Sequence, residues 1–139
     1  MELLAKSQAV QIEFLVADLT KVELDENSYD AIISIWCHLP SQERKILHQK
    51  CVEALTDQGL FILEAYTPKQ LDYKTGGPPD INLLVSLNDL IKELHPLNIL
   101  HAQEIVRHIE EGQGHVGQSA VVQFIAKKQG KSNDAKTYC

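Results

Sequence analysis

Glycine is missing from the first 58 residues, because all seven glycines of this 139-residue chain lie at Gly59 or beyond. No glycine-rich loop able to wrap a ligand with backbone N–H groups fits there. Basic residues are also scarce: 13 Lys and Arg face 19 Asp and Glu, a formal net charge of -6. An acidic surface of that size argues against nucleic acid and anionic membrane as partners and favours small molecules or proteins. No apolar run approaches the roughly 20 residues of a membrane-spanning helix, and the start, Met1 to Lys6, has no basic region followed by a long apolar core. Cysteine is limited to Cys37, Cys51 and Cys139. Their placement reads as reduced thiols in a cytoplasmic protein rather than a disulfide frame.

What is present is organised around Tyr29 to Tyr66. Tyr29-Asp30-Ala31-Ile32-Ile33-Ser34-Ile35-Trp36-Cys37 is a continuous apolar run, the pattern of a strand covered on both faces. From Ser41 to Thr56, Leu47, Cys51, Ala54 and Leu55 recur at helical spacing while Glu43, Arg44, Lys45, Gln49 and Lys50 take the other face. Ser41 suits the N-cap and Glu43 the first turn. Asp57-Gln58-Gly59 stops the helix, with Gly59 supplying a positive φ, and Leu60 to Tyr66 forms the next strand. A helix between two buried strands predicts a parallel crossover in an α/β domain. Ligands of such sheets gather at the carboxyl ends of the strands, which singles out Trp36, Cys37, His38, Glu64 and Tyr66.

Around this unit, residues 1 to 8 read as the last turns of a helix and Gln11 to Ala17 as a first strand ending at Asp18. Leu19 to Ser28 is polar and turn-forming. Thr67 to Asp80 holds Pro68, Gly76, Gly77, Pro78 and Pro79, a loop of the kind that covers a site. Residues 82 to 95 return to helical spacing, and Asn98 to Glu110 and Ser119 to Lys127 read as antiparallel strands joined by a hairpin at Glu111 to Val116. One domain over residues 1–128 and a disordered tail over 129–139 are expected. Gly112-Gln113-Gly114-His115-Val116-Gly117 matches a dinucleotide fingerprint by letter, but a strand rather than a helix follows it, so it reads as hairpin.

The stretches Ala17-Asp18-Leu19, Tyr29 to Leu39 and Ala54 to Glu64, with Pro68-Lys69-Gln70-Leu71, Tyr73 and Thr75-Gly76-Gly77-Pro78, resemble class I S-adenosylmethionine-dependent methyltransferases. More narrowly they are similar to the small bacterial-type branch related to the tellurite-resistance methyltransferases. The resemblance implies a Rossmann-like sheet whose parallel strands end in an antiparallel hairpin, and an N-terminally truncated one, because the family's glycine-rich loop and ribose-binding acid have no counterpart. The isolated chain is accordingly expected to bind S-adenosylmethionine weakly or not at all.

By the same resemblance Asp18 would accept a hydrogen bond from adenine, Leu19 would pack beside the base, and Ile35, Trp36 and Cys37 would follow the strand beneath the sulfonium. Glu64, Tyr66, Tyr73, Thr75 and Gly76 would line the side of the small-molecule acceptor. His38 is the candidate catalytic base, or else a histidine bonded to backbone at a strand end. Asp18 has a turn role as its alternative, Glu64 an ion pair with a local lysine, and Tyr73 and Thr75 plain loop solvation. Cys37-His38 with His48-x-x-Cys51 lacks convincing zinc spacing, so no metal is expected. Two other functions stand beside methyl transfer: a non-catalytic α/β module that associates with itself or with a complete methyltransferase through exposed strand edges, and a flavodoxin-like domain, which an antiparallel final hairpin would exclude.

Overall fold

The computed structural model describes residues 2–110, 112 and 115–130. A short helix α1 (Glu2–Ser7) precedes β1 (Tyr29–Ile35), α2 (Ser41–Ala54), β2 (Leu55–Tyr66), α3 (Leu87–Glu93), β3 (Asn98–Glu110) and β4 (Val116–Lys127). Two 3-10 turns, Pro68–Asp72 and Ile81–Leu83, lie between β2 and α3. The four strands form one sheet in the order β1-β2-β4-β3. β1 and β2 run parallel, with Ile35 opposite Glu64, while β4 is antiparallel to both β2 and β3. The expected parallel unit and antiparallel final hairpin are thus both present, which excludes a flavodoxin-like sheet. Glu111, Gln113 and Gly114 of the hairpin, and residues 131–139 of the expected tail, lie outside the described residues. Among those described, no helix is long and apolar enough to cross a membrane.

One face of the sheet carries the core. Phe61, Leu63 and Ala65 of β2 and Val122, Phe124 and Ala126 of β4 alternate inward and meet Cys51 of α2 with Leu90 and Leu94 beside α3. Each fully buried Phe or Leu there contributes roughly 1.5–3 kcal/mol. Among the described residues no helix covers the opposite face. Ile33 and Ile35 are 65% and 49% exposed, and Ile62 and Ile125 are only partly buried. β1 is therefore an edge strand open on one face, not the doubly covered strand that its apolar run predicts. A continuous apolar run reports that a strand has two faces to bury; it does not guarantee that the chain supplies both covers.

Four local expectations also change. Gln11 to Ala17 forms no strand and no described strand pairs with it; Ile12, Phe14, Leu15 and Val16 are exposed. Ser41 is the first helical residue rather than the cap, and its N–H and hydroxyl both donate to Asn82 Oδ1 at 3.3 and 2.9 Å. The positive φ falls on Gln58, at 69°, not on Gly59. Gly59 is needed for closeness instead, since a Cβ there would lie 2.9 Å from the Thr56 carbonyl oxygen. Finally, Arg44 and His48 of α2 point inward and are buried. Charge made Arg44 look solvent-facing; an acid on α3 draws it in.

Candidate functional site

The parallel register brings the carboxyl ends of β1 and β2 together, and aromatic rings gather there. Trp36, the residue after β1, stacks on Tyr66, the last of β2, with centroids 4.6 Å apart and planes at 27°. Trp36 has φ 54°, a left-handed conformation that costs a bulky residue about 1–2 kcal/mol, and its N–H still donates to the Glu64 carbonyl at 3.1 Å. The twist swings the indole off the line of the strand. His38 stacks on Tyr66 from another side at 5.6 Å and 12°, and His115 at 6.5 Å and 16°. With Gly77 and Pro78 these rings enclose a cup of about 380 Å3. Among the described residues no Asp, Glu, Lys or Arg lines it.

Tyr66 forms a buried floor with Leu84, Ile109 and Val121. Gly77, at φ 81°, presses against it so closely that a Cβ would lie 2.8 Å from the ring. His38 is half-buried, and burial pushes its imidazole below the ordinary histidine value, opposed by a hydrogen bond with the Leu83 backbone. Its Nδ1 is buried without a hydrogen-bond partner. A neutral imidazole at pH 7 is thus held beside an uncharged cavity, an arrangement able to take a proton from a bound O–H, N–H or S–H.

Of the residues singled out in the sequence, Trp36, His38 and Tyr66 come together in the cup. The others lie elsewhere. Ile35 and Glu64 border a groove on the open sheet face with Ile62, His101, Gln123 and Ile125. There the Glu64 carboxylate accepts from Arg107 and, at 2.6 Å, from Gln123, so its partner is an arginine rather than a lysine. Cys37 keeps a thiol raised by burial, against a hydrogen bond from Ser34. Thr75 donates to the Gln118 carbonyl at 2.7 Å, and Gln70 binds both Thr75 and the Gly76 carbonyl, so these residues tie the loop to β4. The Tyr73 N–H closes a turn onto Gln70. Asp18 accepts from the N–H and hydroxyl of Thr20, which lower its pKa, and is exposed, as is Leu19. Among the described residues no group of His, Cys, Asp and Glu is arranged to hold a metal.

Sequence reasoning missed His115, Gly77 and Pro78 as cup residues. His115 carried no signal in the sequence, because its place follows from the β2–β4 pairing. An antiparallel β4 with Val121 opposite Tyr66 must turn its preceding hairpin over the end of β2. The same fact settles the glycine fingerprint, since Gly117 opens β4 and abuts Thr75, where a Cβ would lie 2.6 Å from the Thr75 methyl.

Residues 2–63 match the family model described as a methyltransferase domain. No curated protein matches the chain by sequence. Among solved structures, TehB from Haemophilus influenzae superposes with a TM-score of 0.73 at 15% identity, over 92% of this chain and 45% of that one. The structure described for conversion of a disulfide bond into a thioacetal group during echinomycin biosynthesis gives 0.67 at 12%, over 95% and 62%. A SAM-dependent methyltransferase from Methanosarcina mazei gives 0.64 at 14%, over 86% and 68%. The chain therefore spans about half to two thirds of the length of these structures.

The described residues do not complete a site for S-adenosylmethionine. Asp18 is engaged by its own turn and sits on an exposed stretch. The edge of β1 beside Ile35 has no neighbouring strand, and no glycine precedes Gly59. What the chain does carry is the neighbouring half of the fold, with its strand ends and cup. Residues 2–63 thus match a methyltransferase-domain model, and nearly the whole chain shares the fold of solved structures that include S-adenosylmethionine-dependent methyltransferases.

Proposed function

We propose that this chain supplies the acceptor side of a methyl-transfer enzyme, and that the acceptor is a compact, uncharged small molecule bound in the Trp36–Tyr66 cup. The observation that carries this is the stack of Trp36 and His38 on Tyr66 at the adjoining tips of two parallel strands. Rings and Pro78 exclude water and hold a flat or apolar body. A charged acceptor would lose its hydration with no opposite charge among the described lining residues to replace it. His38 would receive the proton that an O–H, N–H or S–H acceptor gives up, and alignment of that acceptor is the chain's main contribution.

Trp36 is the only tryptophan, so its fluorescence reports the cup directly. Phenol and aniline should quench it saturably, and benzoate and benzylamine at least 10-fold more weakly. Absence of saturable quenching, or preference for a charged compound, overturns the acceptor assignment. Where a longer product contains this sequence, transfer of labelled methyl from S-adenosylmethionine to the compounds that bind, measured on that product, tests the reaction. By calorimetry, the 139-residue chain alone should show no micromolar affinity for S-adenosylmethionine.

A second reading is association between copies through β1. That edge carries a single charged side chain, Asp30, which is already bonded to Thr56 at 3.0 Å. The other edge, β3, is protected by a bulge near Ile99 and by Glu104, Arg107 and Glu110. Strands lacking charge, proline or bulges pair readily with one another. Light scattering at the mass of one chain across a concentration series would refute it.

A further inference from the structure

Arg44, on the inner face of α2, is 5% exposed yet has every side of its guanidinium occupied. Nε and Nη2 donate to the two oxygens of Glu93 on α3 at 3.1 and 2.9 Å, and Nη1 donates to the Leu84 carbonyl at 3.2 Å. His48, one turn along, donates from Nδ1 to Glu93 at 2.8 Å. Burial alone would raise the Glu93 carboxyl; the bonds from His48 and Arg44 and the charge of Arg44 outweigh it and leave the carboxyl below its ordinary value. Such a buried cluster is an expensive way to join two helices, because an apolar replacement of equal volume commonly holds as well. What an arginine adds is direction. Its planar fork is fixed by the carboxylate, and the remaining N–H then points at one place.

That place is the strap from Gly77 to Val85. Gly77 and Pro78 line the cup, the Leu83 backbone bonds His38, Leu84 packs with Tyr66 and Trp36, and the Val85 N–H donates to the Tyr66 carbonyl at 3.1 Å. Asn82 holds the same strap to the first turn of α2. We infer that Arg44 is a positioning residue for the cup: braced by Glu93, it sets the Leu84 carbonyl and, through the adjoining Leu83 backbone, the placement of His38.

This rests on the cup being the acceptor site, but its test reads His38 itself. In the 139-residue chain, the His38 imidazole is followed by NMR titration in the wild type, Arg44→Lys and His48→Gln. Lysine keeps the charge and loses the fork, so the strap loosens: loss of the Leu83 bond lowers His38, but hydration of the ring removes the larger, burial effect, and the titration should move up by about half a pH unit or more. His48→Gln removes a bond to Glu93 and leaves the Arg44–Leu84 contact, so it should lower stability without moving His38. Equal shifts in both variants, or no shift in Arg44→Lys, overturn the inference.

Should Arg44→Lys not fold, amide exchange in Glu93→Gln decides instead. The Leu83, Leu84 and Val85 amides should exchange at least 10-fold faster while those of Phe61 and Phe124 hold. Uniform acceleration, or none, overturns the inference. Loss of phenol binding by the wild type would refute the acceptor reading and leave the His38 result standing by itself.

Discussion

Trp36 and Tyr66 stack 4.6 Å apart although one follows β1 and the other ends β2. The parallel register, with Ile35 opposite Glu64, sets their strand ends level. The left-handed φ of Trp36 does the rest, turning the indole toward the tyrosine. The floor and one wall of the cup are thus decided by backbone geometry before any loop closes over them.

Gly77→Ala should damage that floor. The new Cβ would lie 2.8 Å from the Tyr66 ring, on a residue already at φ 81°. Tyr66 is 2% exposed and packs with Leu84, Ile109 and Val121, so it can shift only toward the cup. A loss of about 1–3 kcal/mol in urea unfolding is expected, with weaker phenol quenching of Trp36.

Acid should destabilise the fold in two stages. The folded-state value of His38 is lowered by burial, so its contribution is complete above the ordinary histidine value of 6.5 and declines as pH falls below it toward the folded value. The Glu93 carboxyl is lowered by His48 and Arg44 against its burial, so its contribution is present above the ordinary value of 4.5 and is lost as pH falls through the folded value. The urea midpoint should therefore drop from pH 7 to pH 5 and again below pH 4.5. Glu93→Gln should remove the second stage and keep the first; an unchanged second stage would contradict the assignment.

Alkaline pH acts through the thiols. Burial and the neighbouring Cys37 raise Cys51 to about 11, and burial raises Cys37. In the folded chain at pH 8, iodoacetamide should leave Cys51 unmodified and label Cys37 more slowly than an unfolded thiol, as read by mass spectrometry. In urea both should react at one rate. Because the folded values are raised, stability should fall as pH climbs past the ordinary thiol value of 9.0.

Ile33→Lys tests the open edge. Ile33 is 65% exposed, so folding stability should change by no more than about 0.5 kcal/mol. If copies pair through β1, the same change should return the scattering mass to that of one chain by placing a charge on the pairing strand.

The elements were largely legible because their signals are local. Period-two alternation marked β3 and β4, the isoleucine run marked β1, and helical spacing with a charged first turn marked α2. Even the parallel pairing of β1 and β2 followed, since a helix between two strands leaves little alternative. Gln11 to Ala17 shows the limit. Its pattern suits a strand, but a strand needs a partner's N–H and C=O groups, and no described strand offers them.

The site was legible at Trp36, His38 and Tyr66, because strand ends can be read from where apolar runs stop. It was not legible at His115, Gly77 and Pro78, which reach the cup from a hairpin and a strap whose paths depend on β4 lying antiparallel beside β2. Nor could composition reveal that Arg44 turns inward, because a charged residue buries only when a specific partner waits, and Glu93 lies on another helix. The amino-acid sequence by itself determined which segments become strands and helices and which residues end them, since those depend on neighbours along the chain. Only the tertiary structure decided which face of the sheet is covered, which edge stays open and which rings meet around Tyr66, since those depend on groups far apart in the chain arriving at one place.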